Sequence, residues 1–164
     1  MSRTRELLYL AIGSSFGLGL SPIAPGSFGA LPGVAYHVAL ALYAPASWLV
    51  PGLVLGLAAV IAANHWLTPW AVKYWNDEDP GNFVLDEIAG YLVVPILFRG
   101  GELWQVALWG FLLFRVFDII KIPPARQIDQ NMHGSWGIVL DDLISGAYAA
   151  LALYALVWFG VLSP

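Results

Sequence analysis

Polar and apolar positions along this chain fall into long blocks. Leu49 to Leu67 is 19 residues without an Asp, Glu, Lys or Arg, and Leu143 to Leu162 is 20 residues, again with none. At ~1.5 Å of rise per residue, a helix over either block crosses a ~30 Å hydrocarbon core. Phe28 to Ala44, at 17 residues, predicts a further span. Leu103 to Ile120 is apolar apart from Gln105, Arg115 and Asp118. Phe83 to Phe98 carries Asp86, Glu87 and Pro95 and predicts a tilted or incomplete span. Irregular backbone cannot satisfy its polar groups in lipid, so the spans are expected to be helices. The expected fold is all-α, a polytopic bundle of about four to five transmembrane or partly inserted helices. It forms a single membrane-embedded domain over residues 1–164.

Composition sharpens this picture. The chain is 59% hydrophobic and only 11% charged, with a mean hydropathy of +0.72. A water-soluble domain of this size carries more polar surface. Trp48, Trp66, Trp70, Trp75, Trp104 and Trp158 lie at the ends of apolar runs, where indole rings sit at headgroup level. Absence of cysteine excludes disulfides and thiolate metal sites. A net charge of −4 provides no basic footprint for nucleic acid. The segment after Arg3 and Arg5 is interrupted by Gly13, Ser14, Ser15 and Gly17, which predicts a retained segment and not a signal peptide.

The basic residues orient the chain. With five crossings, residues 1–27, 68–82 and 121–142 share one side and hold Arg3, Arg5, Lys73, Lys121 and Arg126. The opposite side holds only Arg99. This asymmetry predicts that the first side is cytoplasmic. Most of the carboxylates fall on or near that same face: Asp77, Glu78, Asp79, Asp86, Glu87, Asp118, Asp129, Asp141 and Asp142.

Four features could carry chemistry. Arg115, Asp118 and Lys121 are spaced three apart at the end of an apolar helix. They form either an ion-pair ladder or a cationic clamp for phosphate with Asp118 as metal ligand. Asp86-Glu87 and Asp141-Asp142 each precede an apolar run. Negative charge at a helix start is favoured by the dipole alone. In each pair, however, a carboxylate is followed four residues later by glycine, Gly90 and Gly146. Glycine allows close helix approach, and packing the two helix starts together gathers four carboxylates that need a cation. All-oxygen ligation selects Mg²⁺, Mn²⁺ or Ca²⁺. The third feature is the loop from Gly17 to Ser27, ending at Phe28, whose glycines let backbone N–H groups approach an anion. His133, in the last polar loop, is either an ordinary loop residue or an acid that protonates a leaving alkoxide. His37 and His65 lie in apolar runs and are expected to be structural.

Together these stretches resemble the phosphatidylglycerophosphatase A family. The resemblance rests on residues 17–29 (GLGLSPIAPGSFG), 86–90 (DEIAG), 114–121 (FRVFDIIK), and the stretch from Asp129 through His133-Gly134 to Asp141-Asp142. Ser27, Ile122 and Ser135 are mild departures from the family's pattern. The resemblance implies Mg²⁺-dependent hydrolysis of phosphatidylglycerophosphate to phosphatidylglycerol and inorganic phosphate, a step of phospholipid biosynthesis. It implies a multi-pass protein of a bacterial inner membrane with its site on the cytoplasmic face, a phospholipid as substrate, and the bilayer as surroundings.

The expected catalytic set is Asp86, Glu87, Asp118, His133 and Asp142. Metal ligation is expected from among Asp86, Glu87, Asp118, Asp141 and Asp142. Substrate contacts are expected from Ser21, Gly26, Ser27, Arg115, Lys121 and Arg126. A CDP-alcohol phosphatidyltransferase also uses Asp clusters with a divalent metal, but no Asp-Gly precedes Ala125-Arg126. Lipid phosphatases with a covalent histidine need a Pro-Ser-Gly-His core, which is absent. Asp77-Glu78-Asp79 has the letters of an aspartyl phosphatase but sits between spans, not after a strand. A small transporter would explain intramembrane charge but not its confinement to one face.

Overall fold

The computed structural model describes residues 2–163. Seven α-helices follow in order: α1 (Arg3–Gly13), α2 (Pro25–Tyr43), α3 (Leu49–Trp75), α4 (Leu85–Leu97), α5 (Leu103–Ile120), α6 (Ala125–Asn131) and α7 (Gly134–Trp158). Short 3₁₀ turns at Leu18–Leu20 and Ala46–Trp48 precede α2 and α3, and no strand occurs among the described residues. The all-α expectation holds. Local chemistry sets the boundaries. Pro25 begins α2, where its missing N–H costs nothing. Asn76 ends α3 and Lys121 ends α5, both in the left-handed conformation, the latter followed closely by Pro123-Pro124.

Three helices are long and apolar enough to cross a membrane: α3 with its preceding 3₁₀ turn, α5 and α7. Their outward faces carry exposed Leu55, Trp66, Leu108 and Leu151, a lipid-facing surface and not a soluble one. The doubtful span over 83–98 has a different role. α4 has 13 residues, about 20 Å, too short to cross. It is instead the core of the bundle, with Leu85, Ile88, Tyr91, Leu92 and Val94 all buried. Helices α2, α3, α5 and α7 pack around it.

Two sequence expectations are corrected. The stretch 121–142, expected to lie between spans, is largely helical, because α6 begins at Ala125 and α7 at Gly134. Asp141 and Asp142 therefore lie two turns inside α7, which removes a helix-capping role for them. The glycine-rich loop also ends earlier than Phe28, so Pro25, Gly26 and Ser27 form the first turn of α2.

Candidate metal centre at the carboxylate face

Glycine contacts bring the acids together. A side chain at Gly146 would collide with the carbonyl oxygen of Gly90, and one at Gly90 would lie 2.8 Å from the carbonyl of Asp142. α4 and α7 are thus in near backbone contact, and they run parallel: Tyr154 on α7 donates to the carbonyl of Leu97 at 2.9 Å. In a parallel pair, equal steps back from facing glycines reach the same level. Asp86 and Asp142, each four residues before its glycine, therefore share one level. α5 runs the other way, with Gly110 against Val94 and Phe114 against Gly90. One further turn along that register puts Asp118 beside Asp86. α2 closes the group, since Gly26 sits against Glu87 and Arg115, where any side chain would collide.

The result is a cavity of about 240 Å³ lined by Asp79, Asp86, Glu87, Asp118, Lys121, Asp141 and Asp142, among others. Carboxylate oxygens of Glu87, Asp118 and Asp142 all lie within 4.8 Å of one another. Asp118, Asp141 and Asp142 are buried. Arg115 pairs with Glu87, and with Asp118 at 2.9 Å. Lys121 pairs with Asp129, and with Asp141 at 2.7 Å. Burial alone would lower the pKa of Lys121, but its hydrogen bonds to Asp129 and Asp141 outweigh that and raise it, so the ammonium persists.

Charge does not balance within the site. Six lining carboxylates face two cations. Two like charges within 4.8 Å repel by at least about 3.5 kcal/mol at an effective dielectric of ~20. Buried oxygens of Asp86 (Oδ1), Asp141 (Oδ1) and Asp142 (Oδ2) have no hydrogen-bond partner, a cost of ~1–3 kcal/mol each unless a ligand satisfies them. The donor set is entirely oxygen, so the residues fit a hard divalent cation.

The structure gathers most of the expected site residues but not all. Asp86, Glu87, Asp118, Asp141 and Asp142 line one cavity, with Arg115 and Lys121 at its edges. Gly26, at the start of α2, lies against Glu87 and Arg115 at the cavity's edge, and Ser27 follows it on the same turn. Ser21 donates to the carbonyl of Ile23 within its own loop. Arg126 is exposed on α6 and makes no ion pair among the described residues. His133 is outside the cavity: largely exposed, it meets Glu78 at 3.2 Å in a neighbouring hollow. His37 bonds Tyr91 (2.9 Å) and His65 bonds Ser135 (2.6 Å), both away from the acids. Asp79, outside the expected set, also lines the cavity. Its position just before Pro80-Gly81, at the turn into α4, was the available signal.

Comparison with known proteins agrees with this geometry. The profile of the family described as phosphatidylglycerophosphatase A matches residues 11–157. Phosphatidylglycerophosphatase A of Escherichia coli (strain K12) is 35% identical over 145 residues, covering 88% of this chain and 80% of that protein. The Haemophilus influenzae protein of the same name is 31% identical, covering 90% of this chain and 86% of its own. A Bacteroides thetaiotaomicron protein, provisionally named a phosphatidylinositol-3-phosphatase, is 32% identical, covering 93% and 96% respectively. No solved structure matches the chain. The motifs that build the carboxylate cavity all lie inside the matched region, and the chain belongs to the phosphatidylglycerophosphatase A family of phosphoric monoester hydrolases.

Proposed function

We propose that the protein hydrolyses phosphatidylglycerophosphate to phosphatidylglycerol and inorganic phosphate, with Mg²⁺ as cofactor, as a step of phospholipid biosynthesis. The observation that carries this reading is the convergence of Glu87, Asp118 and Asp142 from three helices, beside Arg115, at one end of an apolar bundle. Those three carboxylates are the proposed ligands. A divalent cation bound there would neutralise charge and polarise a phosphoryl oxygen.

The remaining roles fall to the protein's own groups. The N–H groups of Gly26 and Ser27, in the first turn of α2, have no intrahelical partner, and the positive end of the helix dipole beside Glu87 and Arg115 favours a phosphate there. Arg115 is held in place by Glu87 and Asp118, and its buried Nε has no partner, leaving a donor for a phosphoryl oxygen. Asp86 is outside the three-ligand group, and its enclosed Oδ1 is free to take the proton of an attacking water. Lys121 keeps Asp141 paired and fixes the end of α5 against α7. The excess of Arg and Lys on the carboxylate side supports a cytoplasmic site in a bacterial inner membrane.

Purified protein in detergent with Mg²⁺ should release phosphate from phosphatidylglycerophosphate, and a chelator should stop it. Full turnover in chelator would defeat the metal assignment. The Bacteroides relative favours a second reading, in which a phosphorylated inositol lipid is the better substrate. A direct comparison of kcat/KM on the two lipids separates them. Membership in a hydrolase family leaves the phosphatidyltransferase reading without support.

A further inference from the structure

Helices α2 and α5 meet at the site through Gly26 and Arg115 and then diverge. Below that contact they enclose an apolar groove of about 650 Å³, lined by Leu31, Val34 and Val38 from α2 and by Ala107, Leu108 and Phe111 from α5. The residues fall in one antiparallel register that begins at the Gly26–Arg115 contact. Moving outward along α2, Leu31 is level with Phe111, Val34 with Leu108 and Ala107, and Val38 with Leu103 and Trp104. The groove is therefore a continuation of the seam that ends in the carboxylate site. Its side is open: Leu31 and Leu108 are exposed on the surface that an apolar bundle turns toward lipid.

We infer that this groove holds an acyl chain of the lipid whose phosphate occupies the carboxylate site. The inference rests on the phosphatase reading above, and three observations choose the occupant. The groove lies on the same α2–α5 seam as the Gly26–Arg115 contact, so a molecule with its phosphate at Arg115 and an apolar tail can reach both. Its lining side chains are all apolar, with polar Glu102 only at the far end. Its reach also fits: Leu103 precedes Arg115 by twelve positions on α5, or ~18 Å, enough for the glycerol–phosphate–glycerol linker beside the terminal phosphate and the first part of a tail. A water-soluble phosphate ester would leave the groove empty. A diacyl lipid enters sideways from the bilayer without leaving its leaflet, and Arg115 and the α2 N-terminus meet its headgroup. Binding energy from a tail remote from the reacting bond can then orient the phosphate.

The test fills the groove and varies the tail. Ala107→Trp should lower kcat/KM for dioleoyl phosphatidylglycerophosphate about 10-fold or more, because excluding several methylenes from an apolar pocket is worth that much. Turnover of the tail-less headgroup, glycerophosphoglycerophosphate, should stay within about 2-fold of wild type, since it has no acyl chain to meet Ala107. Leu151→Trp, on the exposed face of α7, should change neither. Equal losses on both substrates, or none on either, would overturn the inference. Should Ala107→Trp fail to fold, Leu108→Ala serves: it should raise KM for the dioleoyl lipid only, and an equal change in KM for both substrates, or no change, would count against the groove. A binding readout separates this inference from the phosphatase reading. A phosphatidylglycerophosphate carrying a diazirine in its acyl chain should crosslink to residues 31–38 and 103–111. Crosslinks spread over α3 and α7 would overturn the groove whatever the turnover. Crosslinks confined to the groove in a protein that releases no phosphate would overturn only the phosphatase reading.

Discussion

Gly146→Ala tests the packing that creates the site. The added methyl would overlap the carbonyl oxygen of Gly90. A backbone oxygen cannot rotate away, so α4 and α7 must separate by about 1 Å to restore van der Waals contact. Overpacking of this kind costs ~1–3 kcal/mol, while replacing a helical glycine with alanine returns up to ~1 kcal/mol of propensity. The two terms nearly offset, so a stability loss of at most ~2 kcal/mol is expected and the variant should fold. Activity should respond far more. The same separation moves Asp86 and Glu87 away from Asp142 one turn below, and a ~1 Å misplacement of catalytic groups costs about 10²-fold. The assay is phosphate release from phosphatidylglycerophosphate by detergent-purified protein, with a thermal melt alongside. Gly110→Ala is the comparison: its methyl would meet only the movable Cγ1 of Val94 at 2.9 Å, a turn deeper than Phe114. It should keep turnover within about 3-fold of wild type. Wild-type turnover in folded Gly146→Ala would refute the claim that the glycine contact sets the geometry of the acids.

Three further outcomes are expected. Glu87→Gln, Asp118→Asn and Asp142→Asn should each weaken Mn²⁺ binding, measured by titration calorimetry, and cut turnover by about 10²-fold or more. Asp86→Asn should lose turnover on that scale while Mn²⁺ affinity stays within about 3-fold, and a parallel loss of metal would make Asp86 a ligand instead of a base. His133→Ala should retain turnover within about 3-fold, because its ring is exposed and paired with Glu78, whereas a loss of about 10²-fold would return it to the catalytic set.

The sequence was most informative where charge and glycine coincide. The equal spacing of Asp86 to Gly90 and Asp142 to Gly146 predicted that two helices approach closely and share their acids, and the Gly90–Gly146 contact has that form. Apolar runs identified α3, α5 and α7 because lipid-facing helices are apolar throughout. The same signal leaves α4 as a tilted or incomplete span, since a helix buried in protein and one facing lipid have the same composition. Its 13 residues and the charges in its first turn marked the difference. The α7 start was misplaced because Gly134 and Gly137 look like loop residues, yet Gly137 lies against the carbonyl of Met132, where only a glycine fits. His133 and Arg126 have the chemistry of an acid for the leaving alkoxide and a cation for the phosphate. Nothing local tells which side of α6 and α7 a side chain faces. Asp79 was missed for the converse reason: it enters the cavity through a turn, where no periodicity marks direction.

On the proposed function, carboxylates from α4, α5 and α7 form one metal-dependent centre for phosphomonoester hydrolysis on a lipid. The most direct measurement is phosphate release from phosphatidylglycerophosphate in mixed micelles, over a Mg²⁺ titration, for wild type and for Asp142→Asn. Saturable Mg²⁺-dependent release by wild type is expected, with turnover about 10²-fold lower in the variant at saturating metal. Release that is independent of Mg²⁺, or unchanged in folded Asp142→Asn, would contradict the account.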